Sequence, residues 1–319
     1  MPTIAADKID ALLSGYSWSA SPGTAKALQY SFLSTVPYYY APGDVLDFAS
    51  FSTAEQQWIQ QALVSFSEVA NISFAEASGS LGDLTFGRRS QTAAGVAFYP
   101  PPFYTTGQQG DVWMGNAFLS SAGLAPGTVG FETLLHELGH AIGLKHPFEP
   151  YPRPASSILF GAEATTQYTI MAYDAHQDMP SVYASGPLLY DIAALQHLYG
   201  ANMTTRVGDD TYTFSTTGPV LKAIWDAGGN DTLSAAGQAV GAVIDLREGQ
   251  FSSIGVRVVG GELEIKRPAK NNIAIAFGAV IENAVGTAQR DLLVGNQVAN
   301  ELQGGAGADV LDGGLSALA

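Results

Sequence analysis

The chain has 319 residues, 29 acidic against 14 basic side chains, a formal net charge of -15 and no cysteine. That balance argues against nucleic acid or anionic membranes as partners and favours bound cations, which would relieve the self-repulsion. Disulfides cannot brace the fold, no run of about 18 apolar residues is present to span a bilayer, and residues 1–25 lack the basic-then-apolar order of an export leader, so neither membrane insertion nor Sec export is expected.

In chain order, the first clear element is a helix. Ser52-Thr-Ala-Glu55 is a capping box, and Trp58, Ile59, Ala62, Leu63, Phe66 and Val69 recur at helical spacing after it, a stripe suited to backing a sheet. Strand-like segments follow at 72–75, 83–86, 96–99 and 111–114, separated by Gly, Ser and Pro. Val96, Ala97, Phe98 and Tyr99, ending in Pro100-Pro-Pro102, are placed at the edge of that sheet. An edge strand offers free N–H and C=O groups that pair with any extended peptide. Prolines that merely terminate an ordinary strand are the other reading of the same residues.

The most informative stretch is His136-Glu-Leu-Gly-His-Ala-Ile-Gly-Leu-Lys-His146, with the spacing HExxHxxGxxH. His136 and His140 are one helical turn apart, so both imidazoles project from one face and fill two corners of a tetrahedral zinc site. Gly143 suits the left-handed conformation that ends a helix, which lets His146 fold back as the third ligand. Three neutral nitrogens would leave one position for water, whose pKa zinc lowers to about 7. Glu137 is placed to take its proton and pass it to a leaving amine, the chemistry of peptide-bond hydrolysis. Solvated histidines on a plain helix are the alternative. Leu134, Leu135, Leu138, Ala141, Ile142 and Leu144 count against it, because unpaired imidazoles in so apolar a helix would be costly. The extended spacing is the metzincin signature.

Between His146 and Met171 lies a loop rich in Pro, Tyr, Ser and Ala, including Pro147, Pro150, Tyr151, Pro152 and Pro154, expected to border the primed side of the cleft. Met171, in Tyr168-Thr-Ile-Met-Ala-Tyr173, matches the methionine turn of metzincins and would act by packing, while the Tyr173 phenol could reach the metal or a developing oxyanion. Residues 191–198 read as a helix with Ile192, Leu195, Leu198 and Tyr199 inward, closed by Gly200. His197 and His176 are read as structural or solvated, since three ligands are already supplied.

Beyond Thr204 the composition shifts to Gly, Asp, Asn, Thr and β-branched residues. Gly286, Gly295, Gly304 and Gly313 recur at intervals of nine and open successive segments, and Gly304-Gly-Ala-Gly-Ala-Asp-Val-Leu-Asp312 fits the nonapeptide GGxGxDxUx of calcium-binding β-rolls. Gly304, Gly305 and Gly307 would present carbonyls and Asp309 a carboxylate to calcium, with Val310 filling the roll and Asp291 facing Asp309 across one ion. The other segments depart from the pattern at Thr287, Gln289 and Asn300.

These features together resemble the serralysin family of secreted bacterial metalloproteases. The resemblance rests on Ser14-Gly-Tyr-Ser-Trp18, the zinc motif followed by Pro147, Met171-Ala-Tyr173, Asp191-Ile-Ala-Ala-Leu-Gln196, Leu198-Tyr-Gly-Ala-Asn202 and Trp225-Asp-Ala-Gly-Gly-Asn-Asp231. It implies an α+β architecture: a metzincin zinc-protease domain over 1–205, with mixed sheet, helices and an active-site helix, then a β-sandwich or parallel β-roll domain over 206–319. It implies one catalytic zinc on His136, His140 and His146, Glu137 as base, and Tyr173 as movable ligand and transition-state donor. The edge segment 96–99 would bind substrate. Several structural calcium ions are implied, with Arg206, Gly208 and Asp210 facing Asp226, Gly228, Gly229 and Asp231, and with Glu282 completing a second site. Expected partners are protein or peptide substrates and a proteinaceous inhibitor, and the expected state is a monomer exported by a type I route. The family usually continues through more repeats than are present before Ala319, so a shortened repeat region is expected, with calcium number and export route open. A catalytically silent zinc- and calcium-binding adhesion module is the alternative function.

Overall fold

The computed structural model describes residues 6–79, 81–103, 106–151, 157–259 and 265–314. They form two compact units, one from 6–174 with 183–202 and the other from 175–182 with 203–314. The architecture is mixed α+β, with few helices and many parallel strands. No helix among the described residues is long and apolar enough to cross a membrane. Pro152, Pro154 and the segment 315–319 lie outside the described residues.

In the first unit a short helix α1 (Ala6–Asp10) precedes strand β1 (Lys26–Phe32) and helix α2 (Thr53–Val69). The capping box closes both ways: Ser52 N–H donates to Glu55 Oε2 at 2.8 Å and Glu55 N–H to Ser52 Oγ at 3.4 Å. Ile59, Ala62, Leu63, Phe66 and Val69 are buried, whereas Trp58 is 37% exposed because it sits at the margin of the stripe. Strands β2 (Ile72–Glu76), β3 (Leu84–Arg89), β4 (Gly95–Ala97) and β5 (Asp111–Gly115) join β1 in the order β2-β1-β3-β5-β4. All neighbours run parallel except β4, which is antiparallel to β5 in the register Val96 to Trp113. The sheet therefore presents β4 as an edge. Phe98 lies past the end of β4 yet extends the ladder, its N–H donating to Asp111 O and its carbonyl accepting from Gly110 N–H, each at 3.0 Å. Helices α3 (Asn116–Ala122), α4 (Val129–Ala141) and α5 (Leu189–Tyr199) complete the unit.

Beneath β5, the fully buried Asp111 carboxylate accepts from Thr85 Oγ1 at 2.7 Å, Tyr40 Oη at 2.8 Å and Tyr39 Oη at 2.9 Å. Tyr40 Oη in turn accepts from the Trp113 indole at 2.9 Å. Burial pushes Asp111 up to about 6, while the three hydroxyls draw it back down.

The second unit is built from strands only two to four residues long. One parallel sheet orders Glu301–Gln303, Asn283–Val285, Thr232–Ser234 and Thr211–Tyr212, and another orders Val310–Asp312, Leu292–Val294 and Val243–Asp245. Asn283 pairs with Glu301 and Leu292 with Val310, so partners stand two nonapeptides apart. Leu293 and Ile244 are fully buried in the row that contains Leu311, whereas Val310 shares the exposed row of Leu292 and Val243. The expectation that Val310 fills the roll is therefore corrected to Leu311. A one-residue offset along a strand exchanges its two faces, and Leu311 itself remains 50% exposed.

Replacing Asp111 with alanine strands three hydroxyl donors. Urea unfolding should show a loss of about 3 kcal/mol for Asp111→Ala and a smaller loss for Asp111→Asn; equal stability of Asp111→Ala and the parent would contradict the network's role.

Candidate metal centres

Helix α4 starts at Thr128, whose Oγ1 accepts the Phe131 N–H at 3.3 Å, and it carries His136, Glu137 and His140, all less than 9% exposed. Its C-terminal end is fixed from outside: the Trp18 indole donates to Ala141 O at 2.8 Å and Tyr199 Oη to Ile142 O at 2.6 Å. Gly143 then turns at φ +113, where a Cβ would stand 2.5 Å from the Tyr16 carbonyl oxygen. Both the angle and the contact demand glycine.

The turn brings His146 back to the helix. His146 Nε2 lies 3.1 Å from His136 Nε2 and 3.0 Å from His140 Nε2. Every Nδ1 has its own acceptor: Ile170 O at 2.8 Å for His136, Leu144 O at 2.9 Å for His140, and Glu149 Oε2 at 2.9 Å for His146. With the proton committed to Nδ1, each Nε2 turns a lone pair toward the other two. Burial lowers all three imidazoles, His136 to about 4 and His140 well below its usual value, so none relieves this repulsion by protonation at neutral pH. Zinc–nitrogen bonds of about 2.0–2.1 Å in a tetrahedron space the nitrogens about 3.3 Å apart, close to what is found. The donor set fits a zinc ion.

Three further groups hold this arrangement. Lys145 is fully buried and its Nζ donates to Ala11 O and Glu149 O, each at 2.6 Å, and to His146 O at 3.3 Å, which clamps the loop carrying the third imidazole. Met171 is fully buried, and a Cβ on Gly139 would come within 2.4 Å of its sulfur, so the thioether lies against the helix backbone next to His140. The buried Asp191 carboxylate accepts from Thr169 Oγ1 at 2.5 Å, Ile170 N–H at 2.8 Å and Leu188 N–H at 2.9 Å, which fixes the carbonyl that receives His136 Nδ1–H. Sequence reasoning missed Lys145 and Glu149. The only signal was an ion pair at i, i+3 with its histidine, and a lysine in an apolar run reads as a solvated side chain.

Glu137 packs under the edge strand, where a Cβ on Gly95 would stand 2.5 Å from its Cγ. Burial pushes its carboxyl up to about 8, and the Ala97 backbone acts to lower it. Tyr173 is 68% exposed, with its ring 4.5 Å from His146 and 5.7 Å from His136. Burial, then Glu149 and Glu137, raises its phenol, which therefore keeps its proton at neutral pH. Val96 and Ala97 lie on β4, Phe98 just after it, and the Tyr99 ring meets His140 edge-on at 5.4 Å.

In the second unit Asp210, Asp226 and Asp231 place carboxylate oxygens within 4.8 Å of one another. Asp231 is fully buried and its Oδ2 has no hydrogen-bond partner, while its Oδ1 accepts the Asp210 N–H at 2.7 Å. Burial, with Asp226 and Glu282 nearby, raises the Asp231 carboxyl to about 6. Glu282 Oε2 accepts the Asp231 N–H at 2.8 Å. Gly229 passes so close to the Gly208 carbonyl that a Cβ would stand 2.3 Å from its oxygen, while Arg206 takes φ +51 and Gly228 φ +140. An orphaned carboxylate oxygen beside two others fits a calcium ion.

The nonapeptide residues are packed turn on turn. Gly305 and Gly307 face the carbonyls of Thr287 and Gln289, and Gly304 leaves no room for a Cβ beside Asp309. Asp309 Oδ1 accepts the Asp291 N–H at 3.0 Å. The Asp291 carboxylate is engaged by Ala242 N–H at 2.6 Å and Thr287 N–H at 2.7 Å, with the Thr287 hydroxyl also within reach. His176 lies apart from these clusters, its Nε2 3.3 Å from Asn271 O, and His197 is exposed on α5.

Residues 190–313 match the family model described as peptidase M10 serralysin C terminal. The chain is 34% identical to Metalloprotease AprA of Pseudomonas entomophila over 87% of its own length and 60% of that protein's. It is 36% identical to Serralysin G of Dickeya chrysanthemi, covering 88% of this chain and 61% of the relative, and 34% identical to Serralysin of Photorhabdus laumondii, covering 86% and 60%. The first of these relatives is named a metalloprotease and the other two serralysins. The chain belongs to the serralysin family. It spans about 60% of the length of the curated relatives it matches.

Removing the acceptor on His146 should loosen metal binding without touching a ligand. Glu149→Ala is expected to weaken zinc affinity about 10- to 100-fold in chelator competition; an unchanged affinity would show that the loop alone orients the ring.

Proposed function

We propose that the chain is a secreted zinc endopeptidase that hydrolyses extended protein segments, with 1–205 carrying the catalytic site and 206–319 a calcium-braced β-roll. The carrying observation is that His146 Nε2 lies within about 3 Å of both other Nε2 atoms, with each Nδ1 bonded to its own acceptor. A zinc ion held by His136, His140 and His146 would polarise the scissile carbonyl and lower the pKa of water to about 7.

The chain's own groups supply the rest. Glu137 takes the proton of the attacking water and passes it to the leaving amine; burial favours its protonated form between the two transfers, and a cation on the neighbouring imidazoles would favour the ionised form that the first transfer needs. Tyr173 keeps its phenolic proton and donates it as a hydrogen bond to the oxyanion. Substrate lies along β4 as an added strand, orienting its backbone by main-chain hydrogen bonds whatever its side chains. Met171 carries no charge and acts by supporting the helix. In the second unit, calcium held by Asp210, Asp226 and Asp231 would neutralise an acidic cluster that burial makes costly.

Casein digestion should be lost on chelation and restored by zinc. Glu137→Gln should lower kcat by about 10²–10⁴ and Tyr173→Phe by about 10², with KM little changed. Efficient digestion by Glu137→Ala would overturn the assignment of the base, and a zinc-loaded chain inert toward every peptide would favour a silent binding module. Calcium in excess should raise Tm, with the increment reduced in Asp231→Asn; the same increment in both would remove Asp231 from the site.

A further inference from the structure

Glu132 stands one helical turn before His136 on α4, and its carboxyl lines the same cavity of about 370 Å³ as His136, Glu137 and Tyr173. Its Oε2 accepts the Ala184 N–H at 2.6 Å, which fixes the side chain, while Oε1 has no hydrogen-bond partner among the described residues. No Lys or Arg pairs with it there. Other walls of the cavity are small or aliphatic, among them Ala93, Ala94, Val129 and Ile170.

We infer that Glu132 makes this cavity select a cationic side chain, lysine or arginine, in the substrate residue that occupies it beside the scissile bond. This rests on the peptidase reading above and adds the substrate class. One turn of helix, about 5.4 Å, separates Glu132 from His136, a distance that a long basic side chain crosses while its carbon stem lies on aliphatic walls. Burial raises the Glu132 carboxyl to about 7, with Asp191 adding to the effect. An ammonium or guanidinium beside it would favour the ionised form, so a basic side chain gains a charge-assisted partner that an aliphatic one lacks. Glu137 lines the same cavity and does not compete for Ala184 N–H.

The test uses zinc-loaded full chain and matched peptides with lysine, arginine or norleucine on either side of the cleaved bond. The ratio of kcat/KM for lysine over norleucine should be about tenfold or more at one of those positions, and should collapse toward unity in Glu132→Gln, which retains an acceptor for Ala184 N–H. Calorimetric binding of the same peptides to Glu137→Gln provides a readout independent of turnover. Lysine-preferring binding with no cleavage by the parent chain would count against the peptidase reading and leave the assignment of Glu132 standing. Cleavage that favours norleucine, a ratio unchanged in Glu132→Gln, or no binding of any peptide would overturn it.

Discussion

Three imidazole lone pairs aimed at one point are an unfavourable arrangement for a protein without a cation, and the rest of the first unit is organised to enforce it. Protonation would be the usual escape, but burial lowers all three rings, and each Nδ1 is already committed as a donor. The acceptors come from separate parts of the chain: the turn after α4, the loop at Glu149 and the Met171 turn. Convergence of these segments requires the packing of the whole unit, so the site is a readout of the fold rather than of one helix.

The central part of this arrangement was legible in the sequence because helical periodicity fixes the spacing of His136 and His140, and only glycine tolerates the turn at 143. The capping box at Ser52 and the four strands from 72 to 114 were legible for the same local reasons. β1 is less legible although Leu28 and Tyr30 alternate inward, because its inward row opens with the charged Lys26 and its outward row includes Ala27. The supporting groups were not legible. Asp191 works on residues about twenty positions earlier in the chain, and Lys145 grips the carbonyl of Ala11, contacts that no local pattern encodes. In the second unit the nine-residue period was visible, but the inward row was misassigned by one residue, which sufficed to invert the face.

Two kinds of acidic environment coexist in the chain. At Asp111 and Asp191 the buried carboxylates are satisfied by hydroxyls and amides, so they serve as internal anchors. At Asp231 an oxygen remains without any donor, and at Glu132 one oxygen is left open at a cavity. The distinction separates carboxylates whose oxygens are satisfied within the fold from those with an oxygen left open, and it is invisible in composition alone.

The stacking of the second unit follows an eighteen-residue translation, since Asn283 meets Glu301 and Leu292 meets Val310. Successive nonapeptides therefore alternate between two walls. Loss of a single nonapeptide would transfer everything downstream to the opposite wall, whereas loss of two would preserve its phase. Length change in such a module is quantised in pairs, and an odd step reassigns every later residue even when its own sequence is untouched.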